Sequence, residues 1–172
     1  MFPPLWKIKR EIHRLWLMGT GLVSLCLGAI PRKIYDQKKE NKIKIYDGNR
    51  PLGKDVAIFL VYAPKGLLPS YYLTLRHLNA SGFSVLVVAN HPLDEKTREK
   101  IAPLAWRIMS RPNFGYDFGG YREGILYLID EGIKPENTLV MNDSVWFPLR
   151  DHDTMLMEMK KWKENIRGFS IH

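Results

Sequence analysis

Cysteine is nearly missing from this sequence: among 172 residues only Cys26 carries a thiol. One cysteine closes no internal disulfide, so nothing here calls for an oxidising compartment. No paired-cysteine or cysteine–histidine spacing of a zinc site occurs. Cys26 lies inside an apolar run and reads as a small hydrophobe. Internal repeats and low-complexity tracts are missing too, as are the Gly-x4-Gly-Lys-Ser/Thr phosphate loop and the Gly-x-Gly-x-x-Gly dinucleotide fingerprint. No uncharged stretch reaches the ~20 apolar residues that a spanning helix wants.

What is present is an uneven charge. The net charge is +8, and residues 1–50 hold eleven Lys/Arg against four Asp/Glu. Residues 51–172 hold fifteen against fourteen. The basic character belongs to an N-terminal arm, and no nucleic-acid partner is expected. We divide the chain into a helical arm at 1–31, a charged linker at 32–53 with a short strand near 43–46, and an α/β domain at 54–172.

In the arm, Leu5, Ile8, Ile12 and Leu15 recur at helical spacing, with Lys7, Arg10, Glu11 and Arg14 opposite and Trp6 and Trp16 at the margins. Such a helix suits the headgroup region of an anionic membrane. Residues 15–30 follow without a charge, interrupted by Gly19, Gly21 and Gly28 and closed by Pro31. Three readings stay open for this stretch: association with a membrane surface, a short span, or a helical hairpin packed on protein.

After Asp55 the pattern becomes regular. Residues 56–62 (VAIFLVY) and 83–89 (FSVLVVA) are continuous apolar runs, the mark of strands covered on both faces. Shorter strands are expected at 106–109, 138–141 and 166–171. Helices are expected at 69–81, at 94–102, after a glycine-rich loop at 113–120 (apolar face Tyr121, Ile125, Leu128, Ile129), and at 151–163. Alternating buried strands and amphipathic helices give a Rossmann-like parallel sheet with right-handed crossovers. Ligands in such sheets bind beyond the carboxyl ends of the strands, where strand order reverses.

The segments at those ends are 63–66, 90–92, 112–120 and 142–144. Gly115, Gly119 and Gly120 either let backbone approach an anion ahead of a helix N-terminus or simply turn the chain. Asn142, Asp143 and Ser144 place three oxygen-bearing side chains after a buried strand. They make either an Asx-type turn or a divalent-ion site in which Asp143 is the metal ligand and Mg²⁺ or Mn²⁺ bridges a diphosphate. Asp117 and Glu123 flank the glycine loop, Glu123 on what reads as an exposed helix face. His91 and His152 read as solvated loop histidines, and Arg122 either supports diphosphate charge or simply faces solvent. No catalytic base can be named.

Two runs, 111–125 (RPNFGYDFGGYREGI) and 139–149 (LVMNDSVWFPL), together with 56–67 (VAIFLVYAPKGL), resemble the rhamnan synthesis protein F family of bacterial rhamnose-polysaccharide and O-antigen assembly. A looser similarity links Asn113-x-Gly115 and Gly124-Ile125 to inverting glycosyltransferases with a nucleotide-diphospho-sugar fold. The resemblance implies a rhamnosyltransferase-like enzyme with a donor such as dTDP-rhamnose, a polysaccharide or lipid-linked acceptor, and a place at the inner, cytoplasmic face of the bacterial plasma membrane. The donor pocket would be lined by Tyr62, Pro64, Asn90, Asn113, Gly115, Asp117, Gly119, Gly120, Asn142, Asp143 and Ser144. The metal motif of that larger group has two acidic residues, whereas Asp143 stands alone here. The acceptor half that supplies the base is expected to lie outside this chain, which reads as the first half of a transferase. The rival reading is a non-catalytic, membrane-tethered interaction module. A phosphoacceptor receiver domain is disfavoured, because no acidic cluster follows the early strands.

Overall fold

The computed structural model describes residues 5–39, 42–150, 152–162, 164 and 166. The chain forms two compact units, residues 1–42 and residues 43–172.

The first unit is a single helix, α1 (Leu5–Lys38), 34 residues long and so roughly 51 Å at 1.5 Å per residue. Of the three open readings, the helical hairpin does not form: the helix runs through Gly19, Gly21, Gly28 and Pro31 without a break. An interior glycine costs only about 1 kcal/mol relative to alanine, and the leucine-rich remainder favours the helix. Arg32–Lys38 of the expected linker continue α1, and basic Lys38 in its last turn complements the dipole. Ile12, Leu15, Trp16, Leu17 and Met18 are all exposed; the side chains of Leu5, Trp6 and Ile8 fall outside the described ones. No helix among the described residues is long and apolar enough to cross a membrane.

The second unit is built on five strands: β1 (Lys44–Asp47), β2 (Asp55–Val61), β3 (Phe83–Ala89), β4 (Arg107–Ser110) and β5 (Asn137–Asn142). They lie in the order β1-β4-β3-β2-β5. All seven residues of β2 and of β3 are buried, as their unbroken apolar runs require of strands covered on both faces. β3 and β5 flank β2 in parallel, and β4 is parallel to β3. The one departure from an all-parallel sheet is β1, which pairs antiparallel with β4. The chain is turned there at Gly48, where a Cβ would run into the backbone of Ala105, and Gly48, Asn49 and Arg50 donate backbone hydrogen bonds to Trp106, Ala102 and Ala105.

Helices α2 (Pro69–Ala80), α3 (Glu95–Ile101) and α5 (Met155–Lys160) cover one face, through Leu75, Leu78, Ile101 and Leu156. Helix α4 (Tyr116–Asp130) covers the other, through Leu128 and half-buried Tyr121. Helix α5 is shorter than the expected 151–163, whose end residues Asp151 and Lys163 lie outside the described residues, as does nearly all of the expected strand at 166–171.

Helix α4 corrects the sequence reading twice. It begins at Tyr116, so half of the expected loop is helical. Its sheet-facing side is Gly120, Glu123, Gly124 and Leu128, while Ile125 and Ile129 are exposed. The reason is proximity: a Cβ on Gly120 would strike Leu60 and one on Gly124 would strike Ile58, so only glycine lets α4 lie this close to β2. Glu123, expected on a solvent face, is buried and ion-paired with Arg122.

Candidate functional site

From β2 the chain moves outward through β3 to β4, then crosses back to β5 on the far side of β2. Strand order therefore reverses between β2 and β5, and the ligand crevice of a parallel sheet opens beyond their carboxyl ends. Two of the expected residues meet there: the Tyr62 amide N–H donates to Asp143 Oδ2 at 2.9 Å. Helix α4 brings a third from the opposite face, as Asn142 Nδ2 donates to Asp117 Oδ2 at 2.8 Å and lies 3.4 Å from Ser144 Oγ. Asp117, Asn142, Asp143 and Ser144 thus form one oxygen-rich cluster. The second carboxylate that the 142–144 segment lacks arrives from residue 117.

Three aromatic and imidazole groups register the two charges. Burial, with the charges of Asp117 and Asp143, pushes the Tyr121 hydroxyl up to about 12. Tyr71, on α2, is raised by burial and by its hydrogen bond and charge contact with Asp143. His91 is lowered by burial, against the opposing pull of Asp143. It is not a solvated loop histidine: it is 8% exposed, rests edge-on against Tyr62 with ring centroids 6.0 Å apart, and its Nδ1 is buried without a hydrogen-bond partner among the described residues. His152 is exposed.

The start of α4 is held from below by Arg111, which is 1% exposed. Its guanidinium donates to Asn90 Oδ1 and to the Phe114 carbonyl, and Asn90 Nδ2 donates to the Tyr116 carbonyl at 3.2 Å. Both ends of the Asn90 amide are thereby engaged within the protein. A Cβ on Gly119 would collide with the Phe114 carbonyl and crowd Arg111. Gly115 and Tyr116 both take left-handed backbone angles, φ 73° and 49°. For tyrosine this is a strained conformation of the kind that gathers at binding sites. Gly119 and Gly120 therefore have packing reasons for being glycine. Pro64 and Asn113 are exposed on their loops.

Chemically, two carboxylates with neighbouring amide and hydroxyl oxygens form a hard-oxygen set. Among the described residues neither Asp117 nor Asp143 has an ion-pair partner, and no group of three His, Cys, Asp or Glu converges to hold a metal by protein ligands alone. Such a pair fits Mg²⁺, which commonly takes one or two carboxylates and completes its shell with water and substrate phosphate. Asp117 in the first turn of α4 already complements the helix dipole. A bare anion would meet that carboxylate, whereas a cation-bridged diphosphate would not. Sequence reasoning missed Tyr71 and Arg111, and took Tyr121 for part of an apolar helix face and His91 for a solvated loop histidine. Arg111 left a readable trace as a charged residue placed directly after a strand.

Residues 85–170, half of the chain, match the family described as rhamnan synthesis protein F. The match contains both 111–125 and 139–149. An uncharacterized protein of Sinorhizobium fredii, y4gN, is 40% identical over 162 residues, covering 94% of this chain and 42% of that protein. The chain thus spans less than half the length of this curated relative. No solved structure matches the chain significantly.

Proposed function

This chain belongs to the rhamnan synthesis protein F family, and we propose that its second unit binds the nucleoside-diphospho-sugar donor for a glycosyl transfer in bacterial rhamnose-polysaccharide synthesis. One observation supports the reading: Asp143, directly after β5, and Asp117, on α4, gather at the carboxyl ends of β2 and β5 through Tyr62 and Asn142, with no ion-pair partner among the described residues. The loops after β2 and β3, with Tyr62 and Pro64, border the nucleoside. The start of α4, shaped by Asn113 and Gly115 and braced by Arg111 and Asn90, borders the sugar diphosphate.

Asp143 and Asp117 would hold Mg²⁺ or Mn²⁺, with Asn142 and Ser144 beside them. When bound, the ion supplies positive charge that offsets the diphosphate of the leaving group. The Tyr62 amide fixes the Asp143 carboxylate by donating to it, with the Tyr71 hydroxyl near the same carboxylate. Inverting transfer also needs a base for the acceptor hydroxyl, and we assign none among these residues. The basic first half of α1, with its exposed Trp16 and Leu15, supports attachment to an anionic membrane, consistent with assembly at the inner face of the plasma membrane on a polysaccharide or lipid-linked acceptor.

Calorimetric titration of the full chain with dTDP-rhamnose and other nucleotide sugars, with and without Mg²⁺ or Mn²⁺, tests the reading. Metal-dependent binding that Asp143→Asn weakens by roughly tenfold, about 1.4 kcal/mol, is the expected result. Equal affinity in the variant would move the site elsewhere. A folded chain that binds no nucleotide sugar would favour a non-catalytic interaction module.

A further inference from the structure

Exposed aromatic rings of the sheet unit are unevenly placed. Among the described residues, Tyr62, Phe114, Tyr116, Phe118 and Trp146 all follow the carboxyl ends of strands, and Trp162 alone stands elsewhere. Three of them are nearly bare: Phe118 at 86%, Trp146 at 80% and Tyr116 at 75% exposed. Rings of this size normally bury 150–250 Å², so several open together on one edge indicate a surface that something covers.

The arrangement indicates what. Tyr116 and Phe118 flank Asp117 in the chain, and Trp146 stands three residues after Asp143. Phe118 also rests edge-on against Tyr121, ring centroids 6.3 Å apart, and Tyr121 senses both carboxylates. Apolar rings therefore alternate along the chain with oxygen acceptors at these strand ends. A protein–protein interface has the reverse plan, with an apolar centre depleted of charge and a polar rim. Alternating faces suit a saccharide, whose axial C–H groups form apolar patches that lie on aromatic rings while its hydroxyls donate to carboxylates and amides.

We propose that Trp146, Phe118 and Tyr116 form a saccharide-stacking subsite, which holds the acceptor sugar chain beside the donor crevice. The inference rests on the reading of this edge as a transfer site, and it assigns the acceptor side of that site to residues of this chain.

The test titrates the full chain with a rhamnose trisaccharide and, separately, with thymidine monophosphate, using saturation-transfer NMR to detect contact and calorimetry for affinity. All three side chains are solvent-exposed, so Trp146→Ala and Phe118→Ala should fold, with circular dichroism and melting as the check. The trisaccharide should bind the wild type, and each variant should lose at least tenfold of that affinity while nucleotide-sugar affinity holds within about twofold. Saccharide binding that persists in a chain unable to bind any nucleotide sugar would sink the donor reading and leave this subsite standing. Three results would overturn the subsite: no saturation transfer to the trisaccharide, equal trisaccharide affinity in both variants, or variants that lose thymidine monophosphate instead, which would give the rings to the donor's base. Self-association of the wild type that Trp146→Ala abolishes would overturn it as well, because the rings would then be covered by a second copy.

Discussion

The two ends of the same sheet treat their carboxylates in opposite ways. At the amino end, Asp55 is buried and closed in. Lys160 pairs with it at 2.7 Å and Asn137 Nδ2 donates at 2.8 Å. Lys160 also donates to the Ser81 carbonyl and lies 4.0 Å over the Phe83 ring. Burial alone would raise Asp55, but the Lys160 and Asn137 contacts outweigh it and hold the carboxyl below its ordinary range. Lys54 and Glu136 pair beside it at 2.9 Å. At the carboxyl end, Asp143 accepts from the Tyr62 amide and Asp117 from the Asn142 side chain, and neither has an ion-pair partner among the described residues. A carboxylate with its cation built in ties elements together; a carboxylate without one keeps its charge for a ligand. In one sheet, α5 is fastened at the first end, and the carboxylates of the second carry no such tie among the described residues.

The sharpest way to break this contrast is Lys160→Met. It leaves Asp55 buried without its cation and should destabilise the chain by about 3–5 kcal/mol in denaturant titration, with nucleotide-sugar affinity unchanged. The pH dependence follows from the sign of the shift. A carboxyl held low in the folded state contributes stability above its unfolded pKa and loses it as pH falls through the folded one. The wild type should lose that contribution under acid, and the variant should have little of it to lose.

Next in size is Gly119→Ala. The added methyl meets the backbone carbonyl of Phe114, which cannot swing aside. Overpacking of this kind costs about 1–3 kcal/mol, and here it should weaken nucleotide-sugar binding too, because the start of α4 shifts. Gly120→Ala should be the milder change, since the added methyl meets a side chain, Leu60, rather than backbone. Thermal melts and calorimetry on the two variants would rank them.

Asp143→Asn should cost no more than about 1 kcal/mol of stability, the scale of one hydrogen bond, while reducing metal-dependent donor binding. Were it to destabilise the fold as much as Lys160→Met, the carboxyl end would be as structural as the amino end and the contrast would fail. The smallest effect is spectroscopic. Asp117→Asn removes one of two charges that favour the neutral Tyr121 phenol, so its titration should fall from about 12 while burial keeps it above an ordinary tyrosine. Ultraviolet titration against a Tyr121→Phe control would read it.

The strands that form the sheet's centre were legible because β2 and β3 are buried on both faces and written as unbroken apolar runs. The carboxyl ends of those strands could be read as the ligand edge, and Tyr62, Asp117, Asn142, Asp143 and Ser144 do come together there. What could not be read was decided by contacts between distant segments. Asp117 meets Asn142 across 25 residues. A stretch with three glycines looks like a loop until β2 presses against it. Glu123 looks like a surface residue because its burial depends on glycines one turn away that bring the helix down. His91 follows a buried strand by two residues, and nothing local says that Tyr62 and the sheet edge close over it. The antiparallel seating of β1 likewise depends on where β4 lies.

Helix α1 has a further consequence as an electrostatic object. Its lysines and arginines sit in two groups, Lys7 to Arg14 and Arg32 to Lys38, with no charge between Arg14 and Arg32. Along an unbroken helix those eighteen steps separate the groups by roughly 27 Å, about three screening lengths at physiological ionic strength. The rod is therefore a dumbbell of positive charge whose ends do not feel one another. Each end therefore holds its own counterion cloud, which a single compact basic patch could not show.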